Sequence, residues 1–225
     1  MPITQKTLDF LVENRLQDSR AWYQAHKEAY QEHVLAPLRA LVEEITPGML
    51  LIDPQLITEA KVDRTISRVY RDTRFSKDKT LYRDNCWIVF MRDKKLYGGP
   101  PAFYFDMGPG GFSYGCGYYM ASPASLQCIR ELILRREPAF QEALAAFEGQ
   151  KLFSLEGEMY KRTRHPDKPE ELRRWLDRKG FSLNCHSGDF ELLFSDALPG
   201  VLLEGFRILA PIYRFFCAAE ERRQG

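Results

Sequence analysis

Cys86-Trp87-Ile88-Val89-Phe90-Met91 and Ala102-Phe103-Tyr104-Phe105-Asp106-Met107 are two short runs rich in β-branched and aromatic side chains, and Phe112 to Met120 is a third. Each is the length of a strand and short for a helix. Gly108-Pro109-Gly110-Gly111 breaks the chain between the last two, and Asp93-Lys94-Lys95 supplies a turn after the first. Strands this close in sequence pair antiparallel, because a parallel pair needs a long crossover. Val62, Ile66 and Val69 suggest one more strand leading into this region.

Working outward, the flanks read as helices. Leu8, Leu11 and Val12 recur at helical spacing from about Thr7. Asp18 and Ser19 are N-cap residues for a longer helix carrying Trp22, His26, Tyr30, His33 and Val34, then Leu38, Leu41 and Val42. Pro37 is expected to bend that helix, and Thr46-Pro47-Gly48 to end it. Beyond the strands, Ser122-Pro123 opens a helix burying Leu126, Ile129, Ile133 and Leu134, and Pro138 starts another. Residues 150–166 read as irregular or β. Pro169 to Lys179 reads as a short helix stopped by Gly180. A last helix runs from about Ala197 to Arg222, interrupted at Pro199-Gly200 and bent at Pro211. Helices, then strands, then helices predict an α+β fold: an antiparallel sheet covered by N- and C-terminal helical segments. With no linker or repeat, residues 1–225 are expected to form a single domain.

A chain of 225 residues can bury a core without disulfides or a structural metal. Its five cysteines form no C-x-x-C pair, which predicts free thiols and a reducing, cytoplasmic setting. No window is apolar enough to span a bilayer, so no membrane partner is expected. The net charge of +1 argues against a strongly basic nucleic-acid binder. That average hides one feature. Residues 61–83 hold eight Lys or Arg against three Asp, a surplus of five, so the rest of the chain is net −4.

Within that segment, Arg68, Arg71, Asp72, Arg74, Phe75, Asp78, Lys79 and Tyr82 form the pattern R-x-x-R-D-x-R-F-x-x-D-K-x-x-Y. With this pattern the chain resembles the bacterial "domain of unknown function 2461" family. Softer similarities flank it: Asn14, Trp22, Lys27 and Tyr30; Gly117-Tyr118-Tyr119 before Ile129-Arg130; Tyr160-Lys161-Arg162 before Lys179-Gly180-Phe181. The resemblance spans about residues 7–215 and implies one domain. It implies no reaction and no catalytic residues.

Two guanidinium charges about 6 Å apart repel by about 3 kcal/mol at an effective dielectric near 20. Arg68, Arg71, Arg74 and Lys79 need counter-charge to cluster, and Asp72 and Asp78 can meet two of the four. Arginine suits bidentate capture of phosphate or carboxylate. The leading expectation is a pocket for a small phosphorylated or carboxylated ligand. Arg68, Arg71, Arg74 and Lys79 would hold the anion, Tyr82 would donate a hydrogen bond, and Asp72 and Asp78 would orient the cations. Two other readings stand beside it. One is a nucleic-acid-binding module. The other is a structural or protein-interaction domain whose motif is an internal salt-bridge network. Phe75 reads as a core anchor for its loop.

Weaker signals point to ordinary structure. His26 and His33 lie seven apart, which is not the spacing of a zinc helix, and no metal is expected. Gly108 to Gly111 lacks the Gly-Lys-Ser/Thr of a phosphate loop and reads as a hairpin turn, so no cofactor is expected. Gly115 and Gly117 signal a bulge or a close backbone approach. Lys161, Arg162 and Arg164 form a second basic cluster, read as a solvated face. The oligomeric state is not legible.

Overall fold

The computed structural model describes residues 2–94 and 99–224. The turn expected at Asp93-Lys94-Lys95 runs into residues 95–98 and so lies partly outside the described residues. The fold is α+β. Strands β1 (Cys86–Met91), β2 (Ala102–Gly108), β3 (Gly111–Gly117), β4 (Ser154–Glu156) and β5 (Ser182–Ser187) form an antiparallel sheet in the order β1-β2-β3-β5-β4. Leu155 stands opposite Leu183 where β4 meets β5. Burial alternates with the pleat: Phe103, Phe105 and Met107 are sealed, whereas Tyr104 and Asp106 on the other face stay partly open.

Helices flank the sheet in sequence: α1 (Gln5–Gln17), α2 (Arg20–Ala25), α3 (Lys27–Tyr30), α4 (Ala36–Ile52), α5 (Pro123–Leu134), α6 (Pro138–Glu148), α7 (Glu170–Leu176), α8 (Phe190–Leu193) and α9 (Leu198–Gln224). Ser19 caps α2 through the Trp22 N–H, and Ser122 caps α5 through the Ser125 N–H. A π-helical turn, Gln31–Leu35, joins α3 to α4.

Several boundaries differ from the sequence reading, each for a local reason. Thr46-Pro47-Gly48 does not stop α4, which continues to Ile52. Gly48 is there for packing, since the Leu203 side chain fills the space where a Cβ would sit. Pro199 falls in the first turn of α9, where its missing N–H would have had no acceptor, so the helix is not interrupted. The strand expected at residues 62–69 reduces to isolated bridges, with Ile66 beside Ile88 and Ser67 N donating to Trp87 O at 2.9 Å. Leu134 is 42% exposed and Leu132 takes its place in the core. Helix α7 ends at Leu176, not Lys179. The chain beyond it pairs with residues 158–160, through Tyr160 N to Asp177 O at 2.8 Å and Lys179 N to Glu158 O at 2.7 Å.

The chain divides into two compact units, each made of three separate stretches. The first holds residues 1–90, 104–114 and 186–203. Its core joins Leu8, Leu11, Val34, Leu38, Val42 and Met49 to Ile88, Phe90 and Phe105, beside a ring cluster of Tyr23, Tyr30, Tyr70 and Tyr82. The second holds residues 91–103, 115–185 and 204–225, around Trp175, Phe140, Phe181, Phe215 and Phe216.

In the second unit β5 lies hard against β3. A Cβ on Gly115 would collide with Leu183 O, and one on Gly117 with Phe181 O and the Ser182 Cα. The glycines thus permit a close backbone approach. None of the five cysteines forms a disulfide. Among the described residues no helix is long and apolar enough to cross a membrane.

Candidate functional site

The motif forms a loop closed at its base by antiparallel pairing of Tyr70 with Tyr82. Arg71 N donates to Leu81 O at 2.8 Å, and Arg83 N to Val69 O at 3.0 Å. The two tyrosine rings pack with centroids 5.0 Å apart, and Tyr23 lies against both. Inside the loop, Asp78 is the hub. It accepts from Thr80 N at 3.0 Å, from Arg15 Nη2 at 2.9 Å and from Arg71 Nη1. Arg15 also donates to Thr80 Oγ1 and to Tyr82 O, both at 2.8 Å, and Asp18 Oδ1 accepts from Leu81 N at 2.6 Å. Arg15 in α1 and Asp18 just past its end thereby hold the loop; the sequence marked Asp18 only as a helix cap and Arg15 not at all, because their partners here lie more than sixty positions away.

These contacts lower the Asp78 carboxyl far below the ordinary range, the Thr80 N–H first and the two guanidiniums after it. Asp72 is lowered to about 2, chiefly by its hydrogen bonds with Arg74. Stabilisation from both carboxylates is present above their unfolded value of 3.8 and is lost as pH falls through the folded values.

The expected anion-binding residues go to different partners. Arg68 Nε pairs with Asp63 at 2.9 Å, Arg71 with Asp78, and Arg74 Nη2 with Asp72 at 2.7 Å. Lys79 Nζ donates to Thr73 O at 2.8 Å. Tyr82 is fully buried, and its hydroxyl, beside that of Tyr70, meets no partner in hydrogen-bonding geometry. Phe75 is not a core anchor: it is 95% exposed, with the Arg74 guanidinium 5.8 Å from its ring. His26 stacks on Trp22 at 3.9 Å, as a helix-surface residue does.

The network continues into a cleft of about 500 Å3. Arg15 Nε lies 3.8 Å from Asp84, and Asp84 and Asn85 line the cleft with Asp106, Ser113, His186 and the Gly108–Gly111 turn. Asn85 Nδ2 donates to Asp106 at 2.8 Å. Burial pushes the Asp106 carboxyl up to about 6, helped by Asp84 and opposed by the Asn85 hydrogen bond and the Arg83 charge. Its folded value exceeds the unfolded 3.8, so its stabilisation is complete below that value and is lost as pH rises through about 6. At pH 7.5 the ionised carboxylate is a net cost. Asp106→Asn is therefore expected to stabilise the protein by about 1–2 kcal/mol at pH 7.5, discounted for partial solvent access, and by nothing near pH 4. Thermal unfolding of both proteins across that range measures the difference, and a variant less stable than the parent at pH 7.5 would contradict it.

The second unit carries a different arrangement around Tyr160. The Arg164 guanidinium sits 3.8 Å from the Tyr160 ring centroid, with Arg130 and Lys179 each at 5.6 Å. Arg130 donates to Leu176 O at 3.2 Å, to Arg178 O at 2.8 Å and to the Tyr160 hydroxyl at 3.4 Å. Arg178 donates to Arg174 O at 3.1 Å and Gly157 O at 2.8 Å. Burial lowers the Arg178 pKa, and the Arg174 charge adds to the effect. Among the described residues, Arg130, Arg164 and Arg178 have no carboxylate within 4.0 Å; only Lys179 has one, Glu158. Of the basic cluster read from the sequence, Lys161 and Arg162 are exposed, and only Arg164 is placed on the tyrosine ring.

A comparison with curated proteins finds no match. The family described as "Conserved hypothetical protein (DUF2461)" matches residues 6–215, which is nearly the whole chain and includes the motif, the cleft residues and the Tyr160 cluster. The chain belongs to the DUF2461 family.

Proposed function

We propose that the protein binds a small phosphorylated or carboxylated ligand, and that the Tyr160 cluster captures it. The observation that carries this reading is the partner set of Arg130 and Arg164, which meet at the Tyr160 ring. Carbonyl oxygens and an aromatic ring orient them, and among the described residues neither guanidinium has a carboxylate within 4.0 Å. Carbonyls and π-faces fix direction without cancelling charge. An oxyanion would offset the repulsion among these cations and accept charge-assisted hydrogen bonds from their remaining N–H groups.

The motif supports a different role. Each of its arginines already has a carboxylate, so an anion there would compete with Asp63, Asp72 or Asp78. This favours the motif as a salt-bridge network that shapes its loop and holds Asp84 at the cleft.

Isothermal titration with inorganic phosphate and a sugar phosphate at low ionic strength tests both parts. Saturable binding is expected, weakened about 10-fold by Arg164→Ala, the loss of one charge-assisted contact. Arg74→Ala should bind as the parent does. Absence of binding by every anion, or loss of binding in Arg74→Ala with Arg164→Ala unaffected, would overturn the assignment.

A further inference from the structure

The cleft in the first unit has the opposite electrostatic character from the Tyr160 cluster. We propose that it binds a small organic cation, with the Asp106 carboxylate as counter-charge. Three features point there. First, the cavity, at about 500 Å3, is of the size that holds a small molecule. Second, its two carboxylates are unequally served. Asp84 has Arg15 Nε at 3.8 Å, whereas Asp106 has no cation within 4.0 Å among the described residues and receives one hydrogen bond, from Asn85. A carboxylate has about four acceptor directions, and Asp106, which lines the cavity, uses one of them on Asn85. Third, the walls are low. A Cβ on Gly110 or Gly188 would meet nothing within 4 Å, so a ligand can reach the main chain at both lining glycines.

The nearby cations do not fill this role. Arg83 acts on Asp106 at long range, but its guanidinium lies 4.6 Å from the Trp87 ring centroid and its Nε donates to Tyr70 O at 3.3 Å. Arg15 is spread over Asp78, Thr80 and the Tyr82 carbonyl. An anion would meet two carboxylates. A neutral guest would leave Asp106 without a counter-charge, whereas an ammonium supplies charge and donors together.

The groups facing Asp106 are Arg83, Asp84 and Asn85 from the segment entering β1 and His186 from β5. Below pH 6 a protonated Asp106 loses its attraction for a cation.

The test is NMR titration of the intact chain with n-butylammonium and 1,4-diaminobutane at pH 7.5, with 1-butanol and butyrate as controls. Saturable shifts of the Gly108, Gly110, Gly111 and Gly188 amides are expected with the amines alone. They should weaken about 10-fold or more in Asp106→Asn, an isosteric change that keeps an acceptor for Asn85, and similarly in the parent at pH 5. Asp84→Asn should weaken binding less. The proposal is overturned if neither amine gives saturable shifts, if 1-butanol binds equally, or if Asp106→Asn binds as tightly as the parent. Because this cleft and the Tyr160 cluster share no residue, phosphate binding by Asp106→Asn separates the two readings.

Discussion

Gly115→Ala is expected to destabilise the protein by about 3–5 kcal/mol, in the range that overpacking against rigid neighbours reaches at its upper end. The added methyl has nowhere to go. Its place is held by the Leu183 carbonyl oxygen, with the Asn184 side chain just beyond. A main-chain oxygen cannot rotate aside, so β3 and β5 would have to separate and lose ladder hydrogen bonds. Against a usual total of about 5–15 kcal/mol, a loss of this size removes a large fraction of the stability. The melting temperature should fall by about 10 °C. Gly180→Ala is the control, because a Cβ there meets nothing within 4 Å and the backbone is not left-handed. Urea unfolding followed by circular dichroism compares the two. A Gly115→Ala midpoint equal to that of the parent would mean that β5 does not lie this close to β3.

Tyr82 gives the second large effect, and its two substitutions should diverge. Tyr82→Ala removes a fully buried ring packed 5.4 Å from Tyr23 and 5.0 Å from Tyr70, a loss of about 3–5 kcal/mol for an aromatic of this kind. Tyr82→Phe keeps the ring and removes a hydroxyl that burial holds protonated and that has no partner in good geometry. An enclosed, unsatisfied hydroxyl costs free energy, so the phenylalanine variant should be at least as stable as the parent. If Tyr82 instead donated to a bound anion, Tyr82→Phe would lose phosphate affinity. Unfolding and phosphate titration of both variants decide this. Equal damage from the two substitutions would contradict the packing account.

The parts of the fold legible in the sequence are those governed by neighbours a few residues away. The strands at Cys86–Met91 and Ala102–Gly108 follow from alternating aromatic and β-branched side chains. The hairpin follows from Pro109-Gly110, and α5 from its Ser122 cap. What escaped depends on partners far along the chain. Gly48 looked like a helix stop because Leu203, which needs its missing side chain, is 155 positions away. Phe75 looked like an anchor because apolar residues usually are, yet the loop turns it to solvent.

The same holds for the candidate sites. Spacing alone could not show that Arg15 and Arg71 converge on Asp78. Nor could it show that Arg130 and Arg164 come together on Tyr160 from two separate stretches. The sequence displayed the cation surplus at residues 61–83, where acids also lie close by. The cations without carboxylates are scattered along the chain, and only folding collects them.

Anomalous diffraction from crystals grown with selenate in place of sulfate tests the anion assignment most directly, because selenium reports position without a choice of ligand. An anomalous peak is expected within hydrogen-bonding reach of the Arg130 or Arg164 guanidinium groups. A peak at Arg68, Arg71 or Arg74 with none beside Tyr160 would contradict it.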